Sequence, residues 1–423
     1  MHRGRPPLVR RACRPAAGSW RGSPRRWPGR WEARLVRSLS DVAGRPSSRY
    51  GTPSLSIAGL PADRVRPWLT LLALALLVKV VLVTLTLIEF GAAPDPLAAL
   101  GRAWDQWDAR HYVYLATHGY ETVGDARNLI AFFPLYPALI SAVAAVGLPA
   151  RTAALLISNV AGVVAAILLY EIARVDGRER AAWRAAAFFT VFPTAYFLLV
   201  GYTEALFCAL TFGSVLSARH KRWLWAGLLG GLASAARLTG LALLPFLTVE
   251  LLAARRALRS LWELVVPPLL VALGFVTYLL TNLLLLGDPL AFVTVQREHW
   301  SHSFAAPWIG LEGAVRSLSW RVPWEKLTVG GGEIAGGIAA YLATALSWLR
   351  LRPADAVYAT VVTVLVTFLP FWLSIPRYLL GMYPLFLLAG RITRRWLYLP
   401  LVGLSFVALI VFGLAFGRGY WAF

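Results

Sequence analysis

Apolar runs of about twenty residues dominate this sequence and limit what the chain can fold into. A helix needs about 20 apolar residues to cross a bilayer, and charged residues make up only 15% of the 423-residue chain. Apolar positions come in blocks and do not alternate as in a transmembrane β-strand. The sequence therefore predicts an all-α polytopic membrane protein. Its strongly apolar segments are Pro67–Phe90, Phe132–Leu148, Thr152–Ala173, Ala185–Val200, Ala205–Ala218, Trp223–Ala236, Leu241–Ala254, Val265–Leu286, Ile334–Leu349, Ala356–Leu373, Tyr378–Ala389 and Leu397–Phe416.

The basic residues of short loops indicate orientation, because cytoplasmic loops carry an excess of Lys and Arg. All basic clusters lie on the cytoplasmic side only if Phe132–Leu148 does not cross. This segment is short and contains Pro134 and Pro137 near its start, so we predict an interfacial helix in the first outer loop. About eleven transmembrane helices remain, with the N-terminus cytoplasmic and the C-terminus outside. The expected location is the cell membrane, or the endoplasmic reticulum membrane of a eukaryote.

The N-terminal region differs from the rest of the chain. Residues 1–66 hold 15 Arg against three acidic residues, and they are rich in Pro, Ser and Gly. Such a composition is typical of disorder, so we predict a cytoplasmic tail at 1–66 and a membrane domain at 67–423. More than half of the net charge of +21 lies in this tail. Anionic membrane lipids, and not nucleic acid, are therefore the expected partner. Cys13 and Cys208 form no disulfide framework.

Two long outer loops follow from this topology, at about residues 91–151 and 287–332, and loops of this length are usually functional. If residues 104–116 of the first loop form a helix, Asp105 and Asp108 share one of its faces. A carboxylate there could act as a general base, and a pair of carboxylates could hold a divalent cation. Alternatively, both acids belong to a solvated loop face with aromatic anchors.

Three cations interrupt apolar sequence: Lys79, Arg237 and Arg377. The planar fork of arginine suits a phosphate, although either Arg could be a snorkelling anchor. Lys79 lies within a predicted span, where a carboxylate or carbonyl groups of another helix could pair with it. Glu204 begins a predicted outer helix, where a carboxylate also suits the helix dipole.

Other sequence patterns give weaker evidence of function. His299 and His302 are spaced i, i+3, which a metal could use, but no further ligand accompanies them at a set spacing. Gly330–Gly332 lacks the lysine of a phosphate-binding loop and reads as a flexible loop. No internal repeat is visible, which disfavours a transporter built from duplicated halves.

The ordered motifs resemble those of one family. The stretch QWDARHYVYLATHGY, followed by AFFPLYP, is similar to the first luminal loop of the GPI mannosyltransferase II (PIG-V-like) family. GYTEALF, ARLTG and IPRY resemble later elements of that family, and Gln296 and Trp300 fit its Gln–Trp pair. The resemblance runs in order from about residue 67 to 390.

This resemblance implies a GT-C-type glycosyltransferase with its active site on the outer or luminal face. The implied reaction moves a sugar, by analogy mannose, from a polyprenyl-phosphate donor to a lipid, glycan or protein acceptor, with inversion. No cofactor is certain, and a divalent cation stays open. The alternatives are a transporter or flippase of a lipid-linked sugar, which would not need Asp108, and a structural membrane protein. The implied roles are Asp108 as base, Asp105 and His111 as its neighbours, Arg377 and Arg237 at the donor phosphate, and Tyr120, Glu204, Gln296, Trp300 and Tyr378 at the substrates.

Overall fold

The computed structural model describes residues 62–90, 95–177, 179–258 and 260–423, and every regular element in these ranges is helical. The predicted all-α class is thereby confirmed. Residues 1–61 of the predicted tail and Arg178 lie outside the described residues. The α-helices are α1 (Ala62–Phe90), α2 (Pro96–Trp104), α3 (Asp108–His118), α4 (Leu135–Ala144), α5 (Ala150–Asp176), α6 (Glu179–Thr190), α7 (Thr203–Arg219), α8 (Trp223–Ala236), α9 (Leu243–Ala254), α10 (Leu261–Leu286), α11 (Ala291–Trp300), α12 (Pro307–Trp320), α13 (Pro323–Arg350, with a π-helical turn), α14 (Pro353–Thr367), α15 (Ile375–Tyr378), α16 (Tyr383–Gly390) and α17 (Arg395–Gly417).

Six helical segments of the described chain are long and apolar enough to cross a membrane. They are α1, α5, α10, α13 and α17, together with α9 extended at both ends to Leu238–Ala257. Helices α8 and α14 are apolar but shorter than 18 residues. The multi-pass class is confirmed, and the count of eleven spans stays a prediction.

Two predicted spans are interrupted by buried, non-regular backbone. In the segment predicted at Ala185–Val200, α6 ends at Thr190 and a 3₁₀ turn follows at Ala195–Leu198. The segment predicted at Tyr378–Ala389 consists of the end of α15, a second 3₁₀ turn and α16. Pro193 stands in the first break, and Pro384 lies in the first turn of α16 directly after the second; proline cannot donate a helical hydrogen bond. Broken helices at membrane depth are tolerated where protein covers them, and both breaks are largely buried.

The segment predicted to be interfacial is bent. A 3₁₀ helix at Asp125–Ala131 and α4 meet at an angle of 109°, and the break between them contains Pro134. A straight span is therefore absent from this part of the described chain. Its position relative to the bilayer stays a prediction.

The glycine run predicted as a flexible loop is instead part of α13. Lys326–Gly332 forms a π-helical turn with little room for side chains. A Cβ at Gly330 would lie 2.6 Å from Leu318 Cδ2, and one at Gly332 would lie 2.4 Å from the ring of Phe423. The glycines thus serve close packing, and the prediction of a flexible loop was wrong.

Lys79 lies within α1, and its ammonium group is solvated by amide and carbonyl oxygens of other segments. Its Nζ donates to Asn159 Oδ1 at 2.8 Å, to the Asn159 carbonyl at 3.0 Å and to the Leu198 carbonyl at 3.3 Å. The prediction that carbonyl groups of other segments would pair with it is confirmed. This contact ties α1 to α5 and to the broken segment after α6.

The helices have two polar ends. At one end, Glu89 at the end of α1 pairs with Arg418 after α17. At the other end, Trp68 near the start of α1 donates to Glu171 near the end of α5 at 2.8 Å. Arg219 at the end of α7, with a fully buried side chain, there contacts three carboxylates, those of Asp176, Glu250 and Asp355.

Candidate active site

Four separate sequence motifs meet at one point in the fold. Asp108 begins α3, and Glu204 lies in the first turn of α7. Arg237 lies in extended backbone directly after α8, and Arg377 lies in the four-residue helix α15. These residues span 269 positions of sequence, yet their side chains form one connected group, which we name the charge row.

The charge row alternates acid and base. Arg377 Nη1 donates to Asp108 Oδ2 at 2.8 Å, and Arg377 Nε lies 3.3 Å from Glu204 Oε1. Arg237 Nη1 donates to the same Glu204 oxygen and, at 2.9 Å, to Thr203 Oγ1. Two carboxylates and two guanidinium groups balance in charge, which makes their burial tolerable.

Exposure differs along the charge row. The Glu204 side chain is only 3% exposed, whereas that of Asp108 is 22% exposed. Asp108 is therefore the member of the row most accessible to a reacting group. Aromatic rings cover the guanidinium groups: that of Arg237 lies 4.7 Å from the Tyr378 ring, and that of Arg377 lies 5.7 Å from the Tyr202 ring.

Tyr202 positions the backbone of Asp108. Its hydroxyl accepts from the Asp108 N–H at 3.1 Å and donates to the Gln106 carbonyl at 3.2 Å. Burial, reinforced by the negative charge of Asp108, raises the pKa of Tyr202 well above its usual range, so the hydroxyl stays protonated. Tyr202 was not among the predicted site residues, although it lies in the GYTEALF motif.

Asp105 and Asp108 do not form the predicted pair on one helix. Helix α2 ends at Trp104, and α3 begins at Asp108 after Trp107, whose φ of 52° lies in the left-handed region. Asp105 lies in this break and pairs with Arg151 at the start of α5. The prediction of a helix over 104–116 was wrong. In the described ranges no group of three or more His, Cys, Asp or Glu residues is arranged to hold a metal ion.

Three other predicted site residues gather around Phe132. The His111 ring centroid lies 5.3 Å from that of Phe132, and the Trp300 ring lies 6.0 Å from it. The Tyr120 hydroxyl donates to the Phe132 carbonyl at 2.7 Å. These contacts pack the second of the two long loops predicted from the sequence against the first beside the charge row.

Gln296 holds an imidazole near the charge row. Gln296 Oε1 lies 3.0 Å from His302 Nδ1. Burial and the positive charge of Arg377 lower the pKa of His302 to about 4, against the opposing effect of Asp108, so the ring is neutral at pH 7. Since α11 ends at Trp300 and Ser301 is left-handed, His299 and His302 do not share a helical face as an i, i+3 pair would.

Two buried acceptors at this place have no hydrogen-bond partner among the described residues. They are Glu204 Oε2 and His302 Nε2. Gln296 Oε1 can only accept, so Nδ1 of the neutral ring carries the proton and Nε2 keeps its lone pair. Leaving a buried polar group unsatisfied costs about 1–3 kcal/mol, and such groups call for a specific explanation. A bound molecule with hydroxyl groups would satisfy both.

Fold and site together define a multi-pass helical membrane protein with a charge-balanced, largely buried site at one end of its helices. The family model of mannosyltransferase (PIG-V) matches residues 98–305. The resemblance drawn from the motifs is thereby confirmed over residues 98–305, which are similar to this family. Asp108, Glu204 and Arg237 lie in this range, and Arg377 lies beyond it.

Individual proteins are also similar to the chain. GPI alpha-1,6-mannosyltransferase 2 of Cricetulus griseus is 35% identical over 153 residues, which cover 34% of this chain and 30% of that protein. The protein of the same name from Rattus norvegicus is 33% identical over 168 residues, covering 37% and 33%. The matched part thus spans about a third of these relatives. Among solved structures, an archaeal oligosaccharyltransferase from Archaeoglobus fulgidus has a TM-score of 0.44 at 12% identity, covering 85% of this chain and 56% of that chain.

Proposed function

We propose that the chain is an integral-membrane mannosyltransferase of GT-C type, which moves mannose from a polyprenyl-phosphate donor to an acceptor with inversion. The observation that carries this proposal is the convergence of Asp108, Glu204, Arg237 and Arg377 in one charge row. Each comes from a separate motif of the resemblance, and the row lies beside two unsatisfied buried acceptors. The acceptor molecule is a lipid, glycan or protein.

Asp108 is the proposed general base. The acceptor oxygen attacks the anomeric carbon of the donor, and its proton passes to Asp108. The bond between that carbon and the phosphate oxygen breaks at the same time, so that polyprenyl phosphate leaves from the opposite face. Asp108 Oδ2 is held by Arg377, which leaves Oδ1 for the proton. A positioned base of this kind contributes about 10²–10⁴ to the rate.

Arg377 and Arg237 are the proposed phosphate ligands. A guanidinium carries five N–H donors, and one of those on Arg377 bonds to Asp108. Donors held in a largely buried site stabilise developing negative charge more than water does. The phosphate would approach from the lipid side, with the polyprenyl chain between helices. Tyr378, against the Arg237 guanidinium, would line the same place.

The unsatisfied acceptors are the proposed contacts to sugar hydroxyl groups. Glu204 Oε2 and His302 Nε2 can each accept one hydroxyl proton, and Gln296 fixes the tautomer of His302. Tyr120 and Trp300 would act through Phe132, which they contact. Asp105 and His111 remain neighbours of the base without a bond to it in the described structure. We place the charge row on the outer face. Whether a divalent cation takes part in the reaction is tested with EDTA in the assay below.

The test is a conversion assay on the full purified chain. The protein is reconstituted with radiolabelled polyprenyl-phosphate mannose and membrane lipids, with and without EDTA. Transfer is expected to give a new labelled product and free polyprenyl phosphate. A flippase would move the label across the vesicle membrane with the donor intact, and that result would overturn the proposal. Loss of activity in EDTA, restored by Mg²⁺ or Mn²⁺, would add a cation to the site.

The proposed orientation is tested separately. Single cysteines at positions 296 and 178 are treated in intact cells with a membrane-impermeant thiol reagent. Position 296 should react and position 178 should not, because the basic loop is expected in the cytoplasm. Labelling at 178 would contradict the topology.

A further inference from the structure

Glu333 is a carboxylate buried inside α13 that no motif of the sequence singled out. Its relative exposure is 0%, and it directly follows the π-helical turn Lys326–Gly332. Burying a carboxylate is costly unless hydrogen bonds compensate for the lost water. Short π-helical turns occur frequently at functional sites. The partners of this carboxylate therefore indicate what it does.

Both oxygens of Glu333 cap the segment that carries Arg377. Glu333 Oε1 accepts from the Ser374 N–H at 2.6 Å, and Oε2 accepts from the Ile375 N–H at 2.8 Å. Ile375 is the first residue of α15. The carboxylate thus supplies, from another helix, the cap that the first N–H groups of a helix need.

This cap is one of a few contacts that hold a short backbone segment, together with the bond that Thr194 Oγ1 donates to the Pro376 carbonyl at 2.9 Å. Helix α15 has four residues, which is too short to be stable alone. Ser374 has a φ of 68°, a conformation that non-glycine residues adopt only at some cost. Around the cap the packing is tight, since a Cβ at Gly336 would lie 3.0 Å from Pro376 Cδ. Two residues after the cap, Arg377 reaches Asp108 and Glu204.

We infer that Glu333 is the positioning residue of Arg377, and that its carboxylate sets where the guanidinium meets the phosphate of a polyprenyl-phosphate ligand. This inference rests on the proposed function, because it assumes that Arg377 binds that phosphate. Glu333 itself need not touch the substrate. Its loss shifts the backbone of α15, and a displacement of about 1 Å at such a site can cost 10²-fold in rate.

The test compares Glu333→Gln with Asp355→Asn. Glutamine keeps the size but places an NH₂ group against one of the two N–H donors. Asp355 is a control of similar burial: it is 1% exposed, lies in the first turn of α14, accepts from the Arg352 N–H at 3.4 Å and pairs with Arg219. Glu333 and Arg350 lie 17 positions apart in α13, about 26 Å along the helix, and Asp355 follows beyond Arg350 at the start of α14. Both variants lose a buried, charged hydrogen bond, so both should unfold at lower temperature.

The two variants should differ at the donor site. Glu333→Gln is expected to lower kcat/KM for the donor by about 10- to 100-fold and to leave the acceptor KM unchanged. It should weaken the binding of radiolabelled polyprenyl phosphate, which needs no turnover. Asp355→Asn should change neither. Equal donor kinetics and equal polyprenyl-phosphate binding in the two variants would overturn the inference.

Failure of the proposed function would look different. A wild-type protein that transfers no sugar refutes the transferase, and the binding comparison still decides the role of Glu333. If Glu333→Gln does not fold, Gly336→Ala crowds Pro376 and Ile375 from the next turn of α13. It should produce the same selective loss of donor binding, and unchanged binding in this variant would count against the inference.

Discussion

Asp108→Asn tests whether Asp108 acts as the general base, because this substitution keeps the side chain's hydrogen bond to Arg377 but removes its ability to take a proton. Asparagine Oδ1 can still accept the hydrogen bond that Arg377 donates at 2.8 Å. The change from a charged to a neutral acceptor costs about 1 kcal/mol in stability, because the side chain is partly exposed and Arg377 keeps Glu204. The amide cannot take a proton, so turnover should fall by about 10²–10⁴. That fall corresponds to about 3–5 kcal/mol of activation free energy, well above the change in stability.

Asp105→Asn is the matched control for this prediction. Asp105, whose side chain is 13% exposed, pairs with Arg151, whose side chain is 49% exposed, and a pair with one solvent-exposed partner contributes about 1 kcal/mol. Turnover of this variant should stay within about fivefold of the wild type. Both variants are assayed with labelled donor at matched protein levels, with and without chelator. Full activity of Asp108→Asn, or equal losses in the two variants, would refute the assignment of the base.

Three further predictions concern the donor, the fold and pH. Arg377→Lys should raise the donor KM while retaining some turnover, because lysine keeps the charge but lacks the bidentate fork; an unchanged KM would leave Arg377 only its ion pairs with Asp108 and Glu204. Arg219→Met should destabilise the protein by about 3–5 kcal/mol, since it leaves three carboxylates without their buried partner; unfolding in detergent is compared with that of Arg316→Met, which removes an exposed pair, and equal stability would contradict it. The folded-state pKa of His302, about 4, lies below its ordinary 6.5; its contribution is thus complete above pH 6.5 and lost as pH falls towards 4, by about 2 kcal/mol at pH 5. His302→Gln should remove this part of the pH dependence of unfolding, and an identical profile would contradict it.

Local sequence singled out the members of the charge row but not the bonds between them. Glu204, Arg237 and Arg377 stood out because each is a charged residue in a short motif bordered by apolar sequence, and Asp108 because it lies in a long loop between apolar segments. Their pairing depends on how α3, α7, α8 and α15 pack, and a residue pattern within one helix carries no such information. Arg377 in particular was expected to bind a phosphate, whereas in the structure it contacts two carboxylates.

Breaks without glycine or proline were the least predictable features. The turn before Asp108 depends on Trp107 with a positive φ, a conformation for which tryptophan gives no sequence signal. The helix expected over 104–116 therefore seemed continuous. The opposite error occurred at Gly330–Gly332, where glycine was taken as a sign of a loop. Glycine there allows close contact with Leu318 and Phe423, a use that only the neighbours reveal.

The charge balance of the row has a consequence for the electric field at the site. With both carboxylates ionised, the row has a net charge of zero, and a bound phosphodiester donor adds one negative charge. In the proposed reaction the departing phosphate becomes doubly negative just as Asp108 is neutralised by the proton of the acceptor. The total charge of protein and ligands is then the same before and after transfer. Negative charge moves only from Asp108 to the departing phosphate, so the surrounding lipid need not reorganise around a new net charge during the chemical step.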